Sequence, residues 1–193
     1  LSISLEKAPP LNQHKVVFWN CGESLAPSRR AIAARRIRDF VKKGGYLFTT
    51  DWAIGNILVH AFPEYLATSG PIAPLPETVV DIEPAAGRER HPLLRGVFLP
   101  GTQGAWWLEQ ASFDVKIRRK RDVTVLIESR ELKETFKRDP GVAVVFSYGR
   151  GKVLHVMGHY FQEEGNIAGT IAAHRLALNF VLMRLQSGTA TRR

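Results

Sequence analysis

The sequence predicts a single α/β domain built on a mostly parallel sheet with a late β-hairpin, and three observations carry that prediction. Two short apolar runs, KVVFW at 15–19 and YLFTT at 46–50, flank a segment with helical apolar spacing. The joints between them are short, so the unit reads strand, helix, strand with parallel pairing. Near the C terminus, two further apolar runs are separated only by Gly149, Arg150 and Gly151, whose glycines permit a tight reversal.

In chain order, an extended piece at 1–5 is followed by a break at Pro9-Pro10. The run at 15–19 stops at Asn20-Cys21-Gly22, as a strand buried on both faces would. Ser28 reads as the cap of a helix over 28–43, in which Ala33, Ile37, Phe40 and Val41 share one face. Gly44-Gly45 ends it, and the strand at 46–50 follows. Asp51 reads as the cap of a short helical stretch over 52–62. Prolines 71, 74, 76, 84, 92 and 100 break the middle, which leaves one strand there at 78–83. Phe113, Val115 and Ile117 alternate with charged residues and 123–127 is apolar, so both segments read as strands. The hairpin spans 142–148 and 152–157. Ile167, Ile171, Leu178, Val181, Leu182 and Leu185 recur at helical spacing in a closing helix over 166–185, and 186–193 reads as a frayed tail.

A length of 193 residues fits one domain at roughly 150 residues per domain. Hydrophobic residues at 45% and charged residues at 23% exclude disordered and fibrous classes. No apolar run approaches the roughly 18 residues that span a bilayer, and no charged-then-apolar leader opens the chain. No membrane partner is expected. The single cysteine, Cys21, cannot close an intramolecular disulfide, which fits a reducing compartment and a cytoplasmic location. The first residue is Leu1 rather than Met, so a piece of a longer protein is expected, with other domains or protein partners.

Twenty-seven basic against eighteen acidic residues give a net charge of +9, which favours anionic partners. The densest basic features are KIRRKR at 116–121 and Arg29, Arg30, Arg35, Arg36 and Arg38 on the first helix. Asp114, Asp122, Glu128, Glu131 and Glu134 dilute the patch, no aromatic interleaves it, and no nucleic-acid module is recognisable. Solvated faces are the better reading, and nucleic acid is not favoured as a partner.

Candidate chemistry gathers after three strands. Cys21 could be an exposed thiol whose pKa the Arg-rich helix lowers, but a small buried hydrophobe is the more usual fate. Asp51 could act as a base or metal ligand, yet a helix cap is favoured. His159 and Glu163 would share a face if their segment is helical, and with Asp51 and Glu164 would form a carboxylate and imidazole cluster; a solvated loop is nearly as good a reading. His155 alternates with apolar residues and reads as a satisfied core histidine. Trp106-Trp107, in a proline-rich loop, reads as a plug of the core or of a partner surface ahead of a stacking platform for a small-molecule ligand, a sugar or base. Gly149-x-Gly151 joins two strands and is no phosphate loop. No metal and no cofactor is expected.

FWNCGE (18–23), IRDFVKKGGYLFTTDWA (37–53), HPLLRGV (91–97) and YGRGKVLHVMGHYFQEEG (148–165), in that order, resemble the class I glutamine amidotransferase-like superfamily, and its trehalose-utilisation (ThuA-like) branch in particular. The resemblance implies a flavodoxin-like three-layer sandwich with its site at the carboxyl ends of the strands. It places Cys21, Gly22, Glu23, Trp52 and Tyr160 around a ligand, and Cys21, Asp51 and His159 at one sheet end. Active members carry a nucleophilic Cys on a sharp strand-to-helix elbow and a late His with a nearby Glu. Here the elbow TTDWA has neither Cys nor Ser, and Asp51 stands in its place. His159 matches the late histidine, but Glu163 lies four residues on where the pattern needs two. The triad is not retained, so glutamine hydrolysis is not carried over. The expected function is a non-catalytic ligand- or partner-binding module of a larger protein. The alternative is a hydrolase-type enzyme on a small polar or sugar-like substrate, with Asp51 and His159 as acid and base and Glu163 orienting the histidine.

Overall fold

The computed structural model describes residues 11–22, 24–158 and 167–189. The extended piece expected at 1–5, and the candidates Glu23, His159, Tyr160, Glu163 and Glu164, lie outside the described residues.

The first half opens as a parallel strand-helix-strand unit: β1 (Val16–Trp19), α1 (Pro27–Lys42) and β2 (Tyr46–Thr50), with Val16 opposite Tyr46 and Trp19 opposite Thr49. Ser28 is not the cap of α1. The helix starts one residue earlier, at Pro27, whose missing N–H needs no partner in a first turn, and Ala26 precedes it without a side-chain cap. Gly44, at φ 108°, ends the helix in a conformation that a side chain would resist.

After β2 a π-helical turn (Ile54–Leu58) runs into the short α2 (Val59–Ala61). Then come β3 (Leu66–Ala67), β4 (Thr78–Pro84), β5 (Gly104–Leu108), β6 (Lys116–Ile117), β7 (Val123–Glu128) and α3 (Arg130–Glu134). The hairpin β8 (Gly141–Tyr148) and β9 (Gly151–Val156) leads to α4 (Ile167–Thr189). A Cβ on Gly151 would strike the main-chain oxygens of Gly45 and Val41, so α1 lies hard against the start of β9.

Seven strands form one sheet in the order β1-β2-β9-β8-β7-β4-β5. The expected mostly parallel sheet is mixed. Only β1-β2 and β2-β9 pair in parallel, and the four remaining pairings are antiparallel. Strands β8 and β4 are the two that run against the rest, and each sits between strands of the majority direction. Every residue of β2 is buried, because helices cover both its faces. The Phe40 ring of α1 lies on Gly45, and Phe180 of α4 meets Tyr46 and Phe48 at 5.0 and 6.2 Å between ring centres.

Three further expectations change. The alternating stretch at 113–117 yields only the two-residue β6, paired with β3, because Asp114 turns inward to hydrogen-bond Thr68 and Ser69. Trp106 and Trp107 lie on strand β5 rather than in a loop. Finally, α4 continues through Thr189, so the polar residues from 186 extend the helix and the tail does not begin there. Among the described residues no helix is long and apolar enough to cross a membrane.

Candidate functional site at the carboxyl ends of β1, β2 and β9

The parallel trio β1, β2 and β9 delivers Cys21 and Asp51 to one end of the sheet, as expected. The Cys21 N–H donates to the Thr50 hydroxyl at 3.0 Å, and the Asp51 N–H donates to the Val156 carbonyl at 2.9 Å. The Asn56 amide reaches the Gly22 carbonyl at 2.6 Å and ties the loop after β1 to the π-helical turn. Met157 and Gly158 leave β9 at the same end.

Asp51 is no cap. Ala53 occupies the N-cap position of the π-helical turn, which has no side-chain cap. The Asp51 backbone sits at φ 37°, a left-handed value rare outside glycine, and its side chain is 1% exposed. Its Oδ1 accepts the Phe113 N–H at 3.2 Å. The Trp52 indole donates to the Ala111 carbonyl at 2.8 Å and its ring stacks on Phe113 at 5.9 Å. Ala111 is itself left-handed, at φ 66°. Residues 111–113 thus lie across the elbow as a cover. That arrangement was invisible in the sequence, because an alanine at positive φ and a bond spanning 62 residues leave no local pattern.

Cys21 is half-buried, and its thiol is pushed up to about 11. Burial is the main cause and the negative charge of Asp51 adds to it; a hydrogen bond from the Trp52 backbone offsets part of the rise, and Glu109 contributes the rest. The alternative reading, a thiol lowered by the Arg-rich helix, does not apply: no arginine is among the groups that shift it. Arg30 bonds His60, Ser24 and the Leu25 carbonyl, and Arg38 pairs with Glu64. At neutral pH the thiol is protonated. Alkylation of Cys21 by iodoacetamide at pH 7.5 is expected to run about 100-fold slower than for a free thiol and to accelerate up to pH 11. Labelling as fast as that of a small thiol would refute the assignment.

The other candidates serve the fold. Trp106 is fully buried, and its indole donates to the Met157 carbonyl at 2.6 Å, so it cannot form a stacking platform. His91 accepts the Leu93 N–H at 3.2 Å and caps a 3-10 turn over Pro92–Leu94; the HPLLRGV segment is therefore a core anchor. His155 is wholly buried between Thr49 and Val144. Its Nδ1 lies 3.0 Å from the Thr49 hydroxyl, while Nε2 has no partner among the described residues, so the core histidine is only half satisfied. Burial drives its pKa down to about 3. Among the described residues no group of three His, Cys, Asp or Glu could hold a metal ion.

Two open grooves have volumes of about 480 Å³ each. One runs between α1 and α2 and the other between β4, the approach to β5, and α3. Neither is lined by Cys21 or Asp51.

No family model matches the chain, and no curated protein matches it in sequence. Solved structures do share its fold. A β-galactosidase from Bacillus circulans sp. alkalophilus superposes with a TM-score of 0.57 at 16% identity, over 91% of this chain and 23% of that one. The cytoplasmic protein STM3548 from Salmonella typhimurium gives 0.54 at 16% identity, over 87% of this chain and 72% of that one. The exo-β-1,4-mannosidase Op5Man5 from Opitutaceae bacterium strain TAV5 gives 0.52 at 12% identity, over 88% and 25%. At these identities the likeness shows a mixed α/β fold and nothing finer. The chain spans about a quarter of the length of these two glycosidases.

Proposed function

We propose that this chain is a non-catalytic module of the class I glutamine amidotransferase-like type, ThuA-like and flavodoxin-like in architecture, that binds a ligand or partner as part of a larger protein. One observation carries the reading: the elbow holds Asp51, buried at positive φ and bonded to the Phe113 N–H, where a nucleophile would have to be exposed. The neighbouring thiol does not replace it, since Cys21 stays protonated at neutral pH. The similarity to a segment making up about a quarter of two glycosidases supports a domain of a longer chain. The hydrolase alternative asks Asp51 to exchange a proton with substrate, and the cover that residues 111–113 form over it argues against that.

The test is a screen of glutamine, other amides, esters and glycosides with the wild-type chain, together with mass spectrometry after exposure to a glutamine-analogue electrophile. No turnover and no adduct are expected. Turnover that Asp51→Asn abolishes at unchanged Tm would overturn the reading, as would stoichiometric labelling of Cys21 that glutamine blocks.

A further inference from the structure

The groove between α1 and α2 is lined by Pro27, Arg30, Ala31, Ala34, Arg35 and Arg38 of α1 with its start, and by His60 of α2. These positions of α1 form one stripe, which at 1.5 Å per residue is about 16 Å long. Proline and alanines make an apolar floor, and three guanidinium groups stand along it. The volume, about 480 Å³, is that of a site for a small molecule.

The three cations are not equivalent. Arg38 is neutralised: its fork pairs with the Glu64 carboxylate at 2.6 and 3.1 Å, and its guanidinium lies over the Tyr148 ring at 4.4 Å. Arg30 is held but not neutralised. Its NH1 lies 3.2 Å from His60 Nε2, and its NH2 donates to the Ser24 hydroxyl and the Leu25 carbonyl. Since a guanidinium only donates, His60 must accept and is therefore neutral. Among the described residues all the partners of Arg30 are uncharged, so its positive charge remains. Arg35 is exposed and has no ion pair or hydrogen bond among the described residues. Two uncompensated charges thus face one groove, one of them already fixed in place.

We propose that this groove binds a small phosphate monoester, with Arg35 gripping the dianionic phosphate, the fixed charge of Arg30 beside it, and the Pro27, Ala31 and Ala34 floor taking the organic group. Two positive charges match the two negative charges of a monoester at neutral pH, and the free guanidinium fork of Arg35 matches a pair of phosphate oxygens. The apolar floor favours an ester over the bare ion. The inference rests on the reading of this chain as a binding module, and it names the ligand class and the place.

Titration calorimetry of the wild-type chain with glycerol phosphate and with inorganic phosphate, at ionic strength fixed with chloride, tests it. Saturable one-to-one binding is expected, tighter for glycerol phosphate. Arg35→Ala should weaken it at least tenfold, and Arg35→Lys should recover part of the loss. Arg35 is exposed and unpaired among the described residues, so neither variant threatens the fold. Arg121→Ala, which removes a charge from the KIRRKR segment, should leave affinity unchanged. The proposal fails if neither phosphate saturates, if Arg121→Ala weakens binding as much as Arg35→Ala, or if an oligonucleotide binds more tightly with a steep salt dependence. Turnover at Asp51 would sink the module reading and leave this site standing, whereas a silent elbow without phosphate binding would sink this site alone.

Discussion

Acidification from pH 7 to pH 4 is expected to cost the protein about 3 kcal/mol of stability through His155 alone. The imidazole is fully enclosed and resists protonation until about pH 3 when folded. Its ordinary pKa of about 6.5 applies once the chain unfolds. Between those values the unfolded state binds a proton that the folded state does not, so stability falls as pH falls. Above pH 6.5 the penalty is absent. Glu64, lowered by its bond to Arg38, shifts stability in the same sense, but that pair is one-third exposed and contributes little. The diagnostic is urea unfolding of wild type and His155→Leu at pH 7 and pH 4. The variant keeps the volume, and the Thr49 hydroxyl retains the Leu154 carbonyl at 3.5 Å as an alternative acceptor. At pH 7 it should lie within about 1.5 kcal/mol of wild type, and most of the loss on going to pH 4 should vanish. An unchanged pH dependence would mean that His155 is protonated in the folded protein.

What the sequence disclosed and what it hid follow from the range of the forces involved. The β1-α1-β2 unit and the β8-β9 hairpin were legible because each is a contiguous apolar run closed by glycine, and the pairing partner lies one helix or one turn away. Strand β4 was legible too, but its partner β5 was not. GAWWL neither alternates nor runs long, and its position depends on an indole bonding a carbonyl 51 residues away. The same holds at the site. Strand ends correctly brought Cys21 and Asp51 together, since that needs only strand direction. The cap assigned to Asp51 followed a local rule that lost to a distant backbone N–H. For Cys21 the usual fate of cysteine, burial, pointed the right way, whereas the alternative of a thiol lowered by the arginines of α1 counted charges without showing that Arg30 bonds His60 and that Arg38 pairs with Glu64.

Trp106→Ala is expected to destabilise the fold by about 3 to 5 kcal/mol, the cost of emptying a large buried site. The indole does two jobs there. It fills the core, being 0% exposed, and it donates to the Met157 carbonyl where β9 ends. Trp106→Phe separates them: it keeps most of the apolar volume, removes the donor, and should cost about 1 to 3 kcal/mol because a buried carbonyl loses its partner. The bond also pins the ribbon at the carboxyl end of the sheet, since β4 joins β7 through only Glu83–Glu128 and Pro84–Ile127. A Cβ on Gly158 would meet the Trp107 carbonyl at 2.6 Å, which shows how closely the ribbon lies on the exit of β9. Residues 111–113 continue from that ribbon over Asp51. Freeing the ribbon should therefore loosen the cover before it melts the sheet. In Trp106→Phe, amide exchange at 104–113 should accelerate far more than in β8 and β9, and Cys21, beside Asp51, should alkylate faster than in wild type. If exchange rises uniformly across the sheet, the indole is only core filling, and the covered elbow owes its closure to the Phe113 and Ala111 contacts alone.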